Sequence, residues 1–203
     1  MPTLQPRTSG SLTALRGAAK DCRACPIWRD ATQTVFGEGD ANARFLMIGE
    51  QAGDQEDRVG KPFVGPAGQL LDDALQSIGI ERDEIYVTNV IKHFKFEQRG
   101  KRRLHKRANA AEIDICSRWL QGEFNAVKTP YIVCLGALAS RIVFGRAFKL
   151  TEQRGKWIAL DDGRWAIATV HPAAVIRSRI GGGYDEAYSG FVADLKKMKK
   201  VPS

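Results

Sequence analysis

Four short apolar runs decide what this chain can fold into. They read RFLMIG (44–49), EIYVTN (84–89), YIVCLG (131–136) and WAIATV (165–170). Short, nearly continuous apolar runs rich in β-branched and aromatic residues are the pattern of strands buried on both faces. Helical patterns separate or follow them, at 66–79, 110–124, 137–145 and 184–200. Strands alternating with helices predict an α/β fold: a three-layer α/β/α domain around a central, mostly parallel four-stranded sheet. The chain has 203 residues. That length suits a single domain, 1–203, able to bury a core without staples. Residues 1–11 read as a loose, flexible tail, and 93–107 as a long polar insertion without periodicity. Long loops inside a compact domain are often functional.

The polar residues that interrupt this pattern fall where the strands end. The turn GEQAGDQED (49–57) leaves the first strand and carries Gly49, Glu50, Gln51, Gly53 and Asp54. Asn89 stands at the exit of the second, and His171, followed by Pro172, at the exit of the fourth. In open parallel sheets ligands bind beyond the carboxyl ends of the strands. The glycine-rich turn is neither G-x-G-x-x-G nor followed by G-K-[ST], so a nucleotide-phosphate loop is poorly supported. The segment KPFVGPAG (61–68) offers Phe63, either as a loop anchor or as a platform on which a base stacks.

The net charge is +8. That excess favours a polyanionic partner, most simply nucleic acid. No apolar run approaches the roughly 20 residues that span a bilayer, and the opening residues lack the apolar centre of a signal peptide. The reading is a cytoplasmic protein with no membrane partner. Four cysteines in a reducing compartment point to metal or free thiols. Cys22-x-x-Cys25 alone fits a redox pair, half a zinc site or half an iron–sulfur site. Further ligands must come from afar, with His93, Cys116 and Cys134 as candidates. Cys134, inside an apolar strand, reads as a core residue.

The densest charge lies at KRRLH (101–105), followed by Lys106 and Arg107. Lys101, Arg102 and Arg103 suit phosphate contacts. Neighbouring cations lower a histidine's pKa, so His105 is expected to be neutral near pH 7, with a lone pair free to act as base, ligand or nucleophile. A solvated basic loop is the plainer alternative.

In chain order, CxxC, VFGEG (35–39), GEQAGDQED, PFVGPAGQLL, YVTNVIKH, LGA and HPA resemble the uracil-DNA glycosylase superfamily, specifically its iron–sulfur, family 4-like branch. The resemblance covers roughly residues 20–200. The KRRLH insertion and the GEQ turn are similar to those of the UdgX class, whose members become covalently trapped on uracil-containing DNA. Two departures stand out. Ala52 takes the place of the usual proline after GEQ, and His93 stands where ordinary cluster enzymes carry a third cysteine.

The resemblance implies a bacterial, monomeric protein, nucleoid-associated when bound to DNA, that acts on uracil-containing DNA with single strands preferred. It implies a 4Fe–4S cluster held by Cys22, Cys25, His93 and Cys116. Phe63 is expected to stack on the flipped base, Asn89 to read its Watson–Crick edge, and His171 to favour the charge that develops as the base leaves. Gly49, Gly53 and Asp54 are expected around the substrate. His105 is expected to attack the sugar C1′ and stay bonded, with Glu50 or Gln51 orienting the sugar, a water or the histidine and Arg103 fixing the loop. A turning-over glycosylase and a non-catalytic iron–sulfur DNA binder are the alternatives.

Overall fold

A computed structural model describes residues 6–202. In chain order the elements are α1 (Leu12–Ala19), β1 (Phe45–Gln51), α2 (Asp54–Val59), α3 (Pro66–Ser77), β2 (Ile85–Ile91), β3 (Phe96–Arg99), β4 (Arg102–His105), α4 (Ala110–Ala126), β5 (Tyr131–Leu135), α5 (Ala137–Phe144), α6 (Leu150–Gln153), β6 (Ile158–Ala159), β7 (Trp165–Thr169), α7 (Pro172–Arg177) and α8 (Tyr184–Leu195).

The main sheet runs β2-β1-β5-β7-β6. Its first four strands are parallel and correspond to the four apolar runs. The sheet has five strands rather than four, because Ile158–Ala159 adds a two-residue antiparallel edge to β7. The sequence alternates between the faces with period two. Leu46, Ile48, Tyr86, Val90, Ile132 and Cys134 face one way, against Trp119 and Leu120 of α4 and Leu15 of α1. Phe45, Met47, Val87, Val133 and Ile167 face the other way, against Leu71 and Leu75 of α3, Val175 of α7 and Phe191 of α8. Two buried faces explain why the strands read as unbroken apolar runs.

β2 would leave an open edge, but the chain at 35–38 covers it. Val35 N–H donates to Lys92 O (2.7 Å), while Glu38 and Val87 exchange backbone bonds of 2.9 and 2.8 Å. Such cover blocks edge-to-edge association.

Two expectations need correcting. Residues 93–107 are not an unstructured insertion: β3 and β4 form an antiparallel hairpin turned at Gly100, whose φ is 58°. Of the expected tail, residues 1–5 lie outside the described residues. From Pro6, which is buried, the chain runs along α4, where Thr8 O accepts from Asn125 Nδ2 (2.8 Å). Among the described residues no helix is long and apolar enough to cross a membrane.

Candidate active site

The carboxyl ends of β1, β2 and β7 open into a cavity of about 470 Å³ lined by Glu50, Gln51, Gly53, Phe63, Asn89, His105 and His171. After β1 the chain crosses to β2 on one side and later returns to β5 on the other, so the crevice sits at a topological switch point. Gly49 closes the floor: a Cβ there would collide with Asn89 Oδ1 and the Phe63 ring. Gly68 leaves room for the Phe63 backbone in the same way. Phe63 itself has φ 56°, the left-handed region, in which it is alone among the described non-glycine residues. Strain of this kind persists only where its surroundings impose it, and it clusters at ligand sites.

The polar groups of the cavity are set for a ligand. Asn89 is 3% exposed and its Oδ1 has no partner. Buried acceptors are normally satisfied, so this one awaits a donor. His171 caps α7, its Nδ1 accepting from Ala173 N–H at 3.1 Å. The ring proton therefore sits on Nε2, leaving a donor. Burial, reinforced by Arg177 and His105, pushes its pKa down to about 4, so the ring is neutral at pH 7. Its centroid lies 6.0 Å from that of Phe63.

His105 reaches the cavity from the end of β4, where the residue is partly open to solvent. Its pKa lies below the usual imidazole value. Partial removal from water is the largest cause; Glu50 opposes it, and Arg107 and Arg177 add to it. The expectation that the run's own cations would dominate is therefore corrected. Lys101 and Arg102 stand exposed near the hairpin turn. Arg103 points back into the protein, bonding Asp57 at 2.7 Å, engaging Asp54, and lying over the rings of Phe94 and Phe96 at 5.3 and 5.0 Å. Asp54, expected beside the substrate, is thus occupied by Arg103 and Arg58. Gln51 Nε2 donates to Lys95 O (3.2 Å) and Lys106 O (3.4 Å), clamping both ends of the hairpin, while its Oε1 is buried without a partner. Glu56, Ala67, Arg107, Ala173 and Arg177 complete the lining, and the sequence reading gave none of them a role there. Glu56 lay in the GEQAGDQED turn and was available to that reading; Arg177, on a separate helix, carried no signal.

Beneath the floor lies a buried charge pair. Lys92 and Glu123 are both completely buried and bonded to each other. Lys92 Nζ also donates to Thr88 Oγ1 (2.6 Å) and Asn89 O (2.7 Å), so all three ammonium donors are used. Glu123 accepts from Gly37 N–H, Tyr86 and Thr88. Full satisfaction of this kind is what makes a buried pair tolerable.

A second group of residues gathers behind β2. Cys22, Cys25 and Cys116 are buried free thiols. Trp119 Nε1–H donates to Cys22 Sγ and Lys92 N–H to Cys116 Sγ, each at 3.2 Å. Burial pushes the Cys116 thiol up to about 12 and raises Cys25, so thiolates there need a compensating cation. His93, 4% exposed and held neutral by burial, leaves Nδ1 without a partner. Among the described residues no three His, Cys, Asp or Glu side chains converge on a single ion. A cubane does not require that, since each of its irons takes its own protein ligand. Three soft sulfurs, two with N–H donors on them, and one orphaned imidazole nitrogen fit such a group. Cys134 is completely buried in β5, and burial raises its thiol pKa.

Residues 36–196 match the family model described as uracil DNA glycosylase superfamily. The chain is 35% identical over 161 residues to a type-4 uracil-DNA glycosylase of Thermotoga maritima, covering 79% of this chain and 80% of the relative. It is 36% identical over 189 residues to that of Archaeoglobus fulgidus, covering 89% and 87%. A third type-4 relative, from Sulfurisphaera tokodaii, is 33% identical over 174 residues, covering 82% and 76%.

Proposed function

Given that the chain belongs to the uracil-DNA glycosylase superfamily, we propose that it excises uracil from DNA and then retains the sugar, bonded through C1′ to His105. The observation that carries the second half is the position of His105: a neutral imidazole in the wall of the same cavity that holds Phe63, Asn89 and His171.

The flipped uracil stacks on Phe63. Asn89 Oδ1 accepts its N3–H, and the amide NH₂ donates to O4. Cytosine, with no proton on N3 and an amino group at C4, reverses both contacts and leaves buried groups unpaired. His171 Nε2–H donates to O2. As the C1′–N1 bond breaks, its electron pair passes into the uracil ring, and the charge gathering on O2 is met by that fixed donor. The sugar becomes an oxocarbenium ion, as in glycoside cleavage. An imidazole nitrogen of His105 supplies its lone pair to C1′. The resulting imidazolium loses its N–H proton to solvent and the uracil anion takes one up. Arg103 holds the hairpin that presents the histidine, and the exposed Lys101 and Arg102 meet flanking phosphates.

Cys22, Cys25, His93 and Cys116 are the residues that would hold a 4Fe–4S cluster. When bound, it supplies a staple between the end of α1, the end of β2 and α4. We read the protein as a monomer acting on single-stranded uracil-DNA.

A turning-over glycosylase is the second reading. Glu50 lies in the same cavity, its charge acting on His105, where a carboxylate can orient a water for attack on the same cation. A denaturing gel of the protein with uracil-containing single-stranded DNA separates the two. The proposal expects a retarded one-to-one band that survives heat and denaturant. Free abasic DNA formed over many turnovers, with no retained band, overturns it.

A further inference from the structure

His93 Nε2 lies 2.9 Å from Thr34 Oγ1, and the same hydroxyl lies 2.8 Å from Ala19 O. A threonine hydroxyl has one proton and two lone pairs. A carbonyl oxygen has no proton, so the contact with Ala19 O must use the hydroxyl's own. Thr34 Oγ1 then has only lone pairs left for His93, and the imidazole must be the donor. The ring proton therefore sits on Nε2 and the free lone pair on Nδ1. That is the buried nitrogen without a partner. Ala19 O also accepts Cys22 N–H at 3.0 Å, so one carbonyl orders both the hydroxyl behind His93 and the turn that starts the Cys22-x-x-Cys25 pair.

We propose that Nδ1 of His93 is the iron-binding atom and that Thr34, through its acceptor on Nε2–H, is the positioning residue that presents it. The proposal rests on the ligand set given above. Metal-bound histidines commonly donate their second N–H to a fixed oxygen, which sets tautomer and ring orientation and raises ligand basicity. Here the oxygen is a hydroxyl whose own proton is committed elsewhere, so it cannot switch roles. Thr34 offers no donor to iron and touches none of the groups that read the base, which makes its effect separable from uracil chemistry.

Two measurements test it on holoprotein purified without oxygen. In the first, histidine labelled with ¹⁵N at Nδ1 alone is incorporated, the cluster is brought to a paramagnetic state by one-electron reduction, and nitrogen couplings are read by pulsed EPR. The strong coupling is expected from ¹⁵Nδ1. A strong coupling from the unlabelled nitrogen instead overturns the proposal, and no strong nitrogen coupling in a cluster-loaded sample removes His93 from the ligand set altogether. In the second, the rate of iron loss to a ferrous chelator is followed by the optical band. Thr34→Val is expected to lose iron about 10-fold faster or more, in line with second-shell substitutions elsewhere. Thr34→Ser, which keeps the acceptor, restores the wild-type rate. In a His93→Cys background, where no ring N–H remains, Thr34→Val is expected to change nothing. Equal rates for Thr34→Val and wild type, or the same acceleration in the His93→Cys background, overturn the role of Thr34 while leaving the ligand set standing.

Discussion

Arg103 Nη1 donates to Asp57 Oδ2 over 2.7 Å, with Asp57 completely buried and Arg103 only 12% exposed. Asp57 also accepts Thr32 N–H at 2.9 Å, so this one carboxylate ties the hairpin to the chain ahead of β1. Removing the guanidinium leaves a buried charge short of a partner. Arg103→Ala is expected to cost about 1.5–3 kcal/mol of stability, the range for a hydrogen bond to a charged group. It should lower adduct yield more than uracil release, because it displaces His105 and leaves the base cavity intact. Chemical denaturation and a denaturing gel read the two effects separately, and an unchanged ratio of adduct to released uracil would count against this role.

His105→Gly or His105→Ser should abolish the adduct yet leave excision working, since water then reaches the oxocarbenium ion. The variant is expected to release abasic DNA over repeated turnovers. Mass spectrometry of digested wild-type adduct should place the sugar on the peptide carrying His105. A sugar found on His171 or Glu50, or wild-type crosslinking by His105→Gly, refutes the assignment.

Gly49→Ala should be folded and nearly inactive. Its added methyl has no space between Asn89 Oδ1 and Phe63. Pushing either group aside by about 1 Å is expected to cost on the order of 100-fold in excision rate. Phe63→Ala should cost roughly 1–3 kcal/mol through lost stacking, whereas Asn89→Ala should chiefly relax selection against cytosine. Excision assays on uracil and cytosine substrates distinguish these outcomes.

Acid should act on two histidines differently. His171 has a folded pKa of about 4 against 6.5 for the free side chain. Between those values the unfolded chain binds more protons, so stability is lost as pH falls from 6.5 towards 4 and is fully present above 6.5. The loss is at most about 3 kcal/mol, reduced by the ring's partial access to water. His171→Gln should flatten that part of the stability profile. Adduct formation, which needs neutral His105, should hold at neutral pH and fall on an acid limb centred below the ordinary imidazole value, as its lowered pKa requires. A limb centred above that value would contradict this.

Purified without oxygen, the protein should be brown. Cys116→Ala should lose the colour and the iron, while Cys134→Ala should keep both, because Cys134 is packed between Ile48 and Ala168 in the sheet. The reverse pattern would reassign the ligands.

The four long strands were legible because each is buried on both faces and therefore apolar along its length. The two-residue β6 carries too few side chains to set a period. The hairpin was illegible for a different reason. FEQR and RRLH place polar or charged groups on both faces, so no alternation survives, and pairing is fixed by Gly100 and by anchors distant in sequence: Gln51, Asp54 and Asp57. His171 could be found because it follows β7, Asn89 because it interrupts an apolar run, although β2 continues two residues beyond it to Ile91, and Phe63 because it stands in a segment rich in glycine and proline. The Lys92–Glu123 pair could not, since a lysine and a glutamate 31 positions apart give no hint that both are dry.

The hairpin has one more consequence. It pairs with no strand of the main sheet and is held by side chains at its base and along one flank. On the proposed mechanism the base is read at the ends of the core strands, whereas the fate of the sugar is set in an appendage, and the two are separable. A lineage could exchange or shorten the appendage without touching the strands that choose the base, and so move between cutting a lesion out and staying fastened to it.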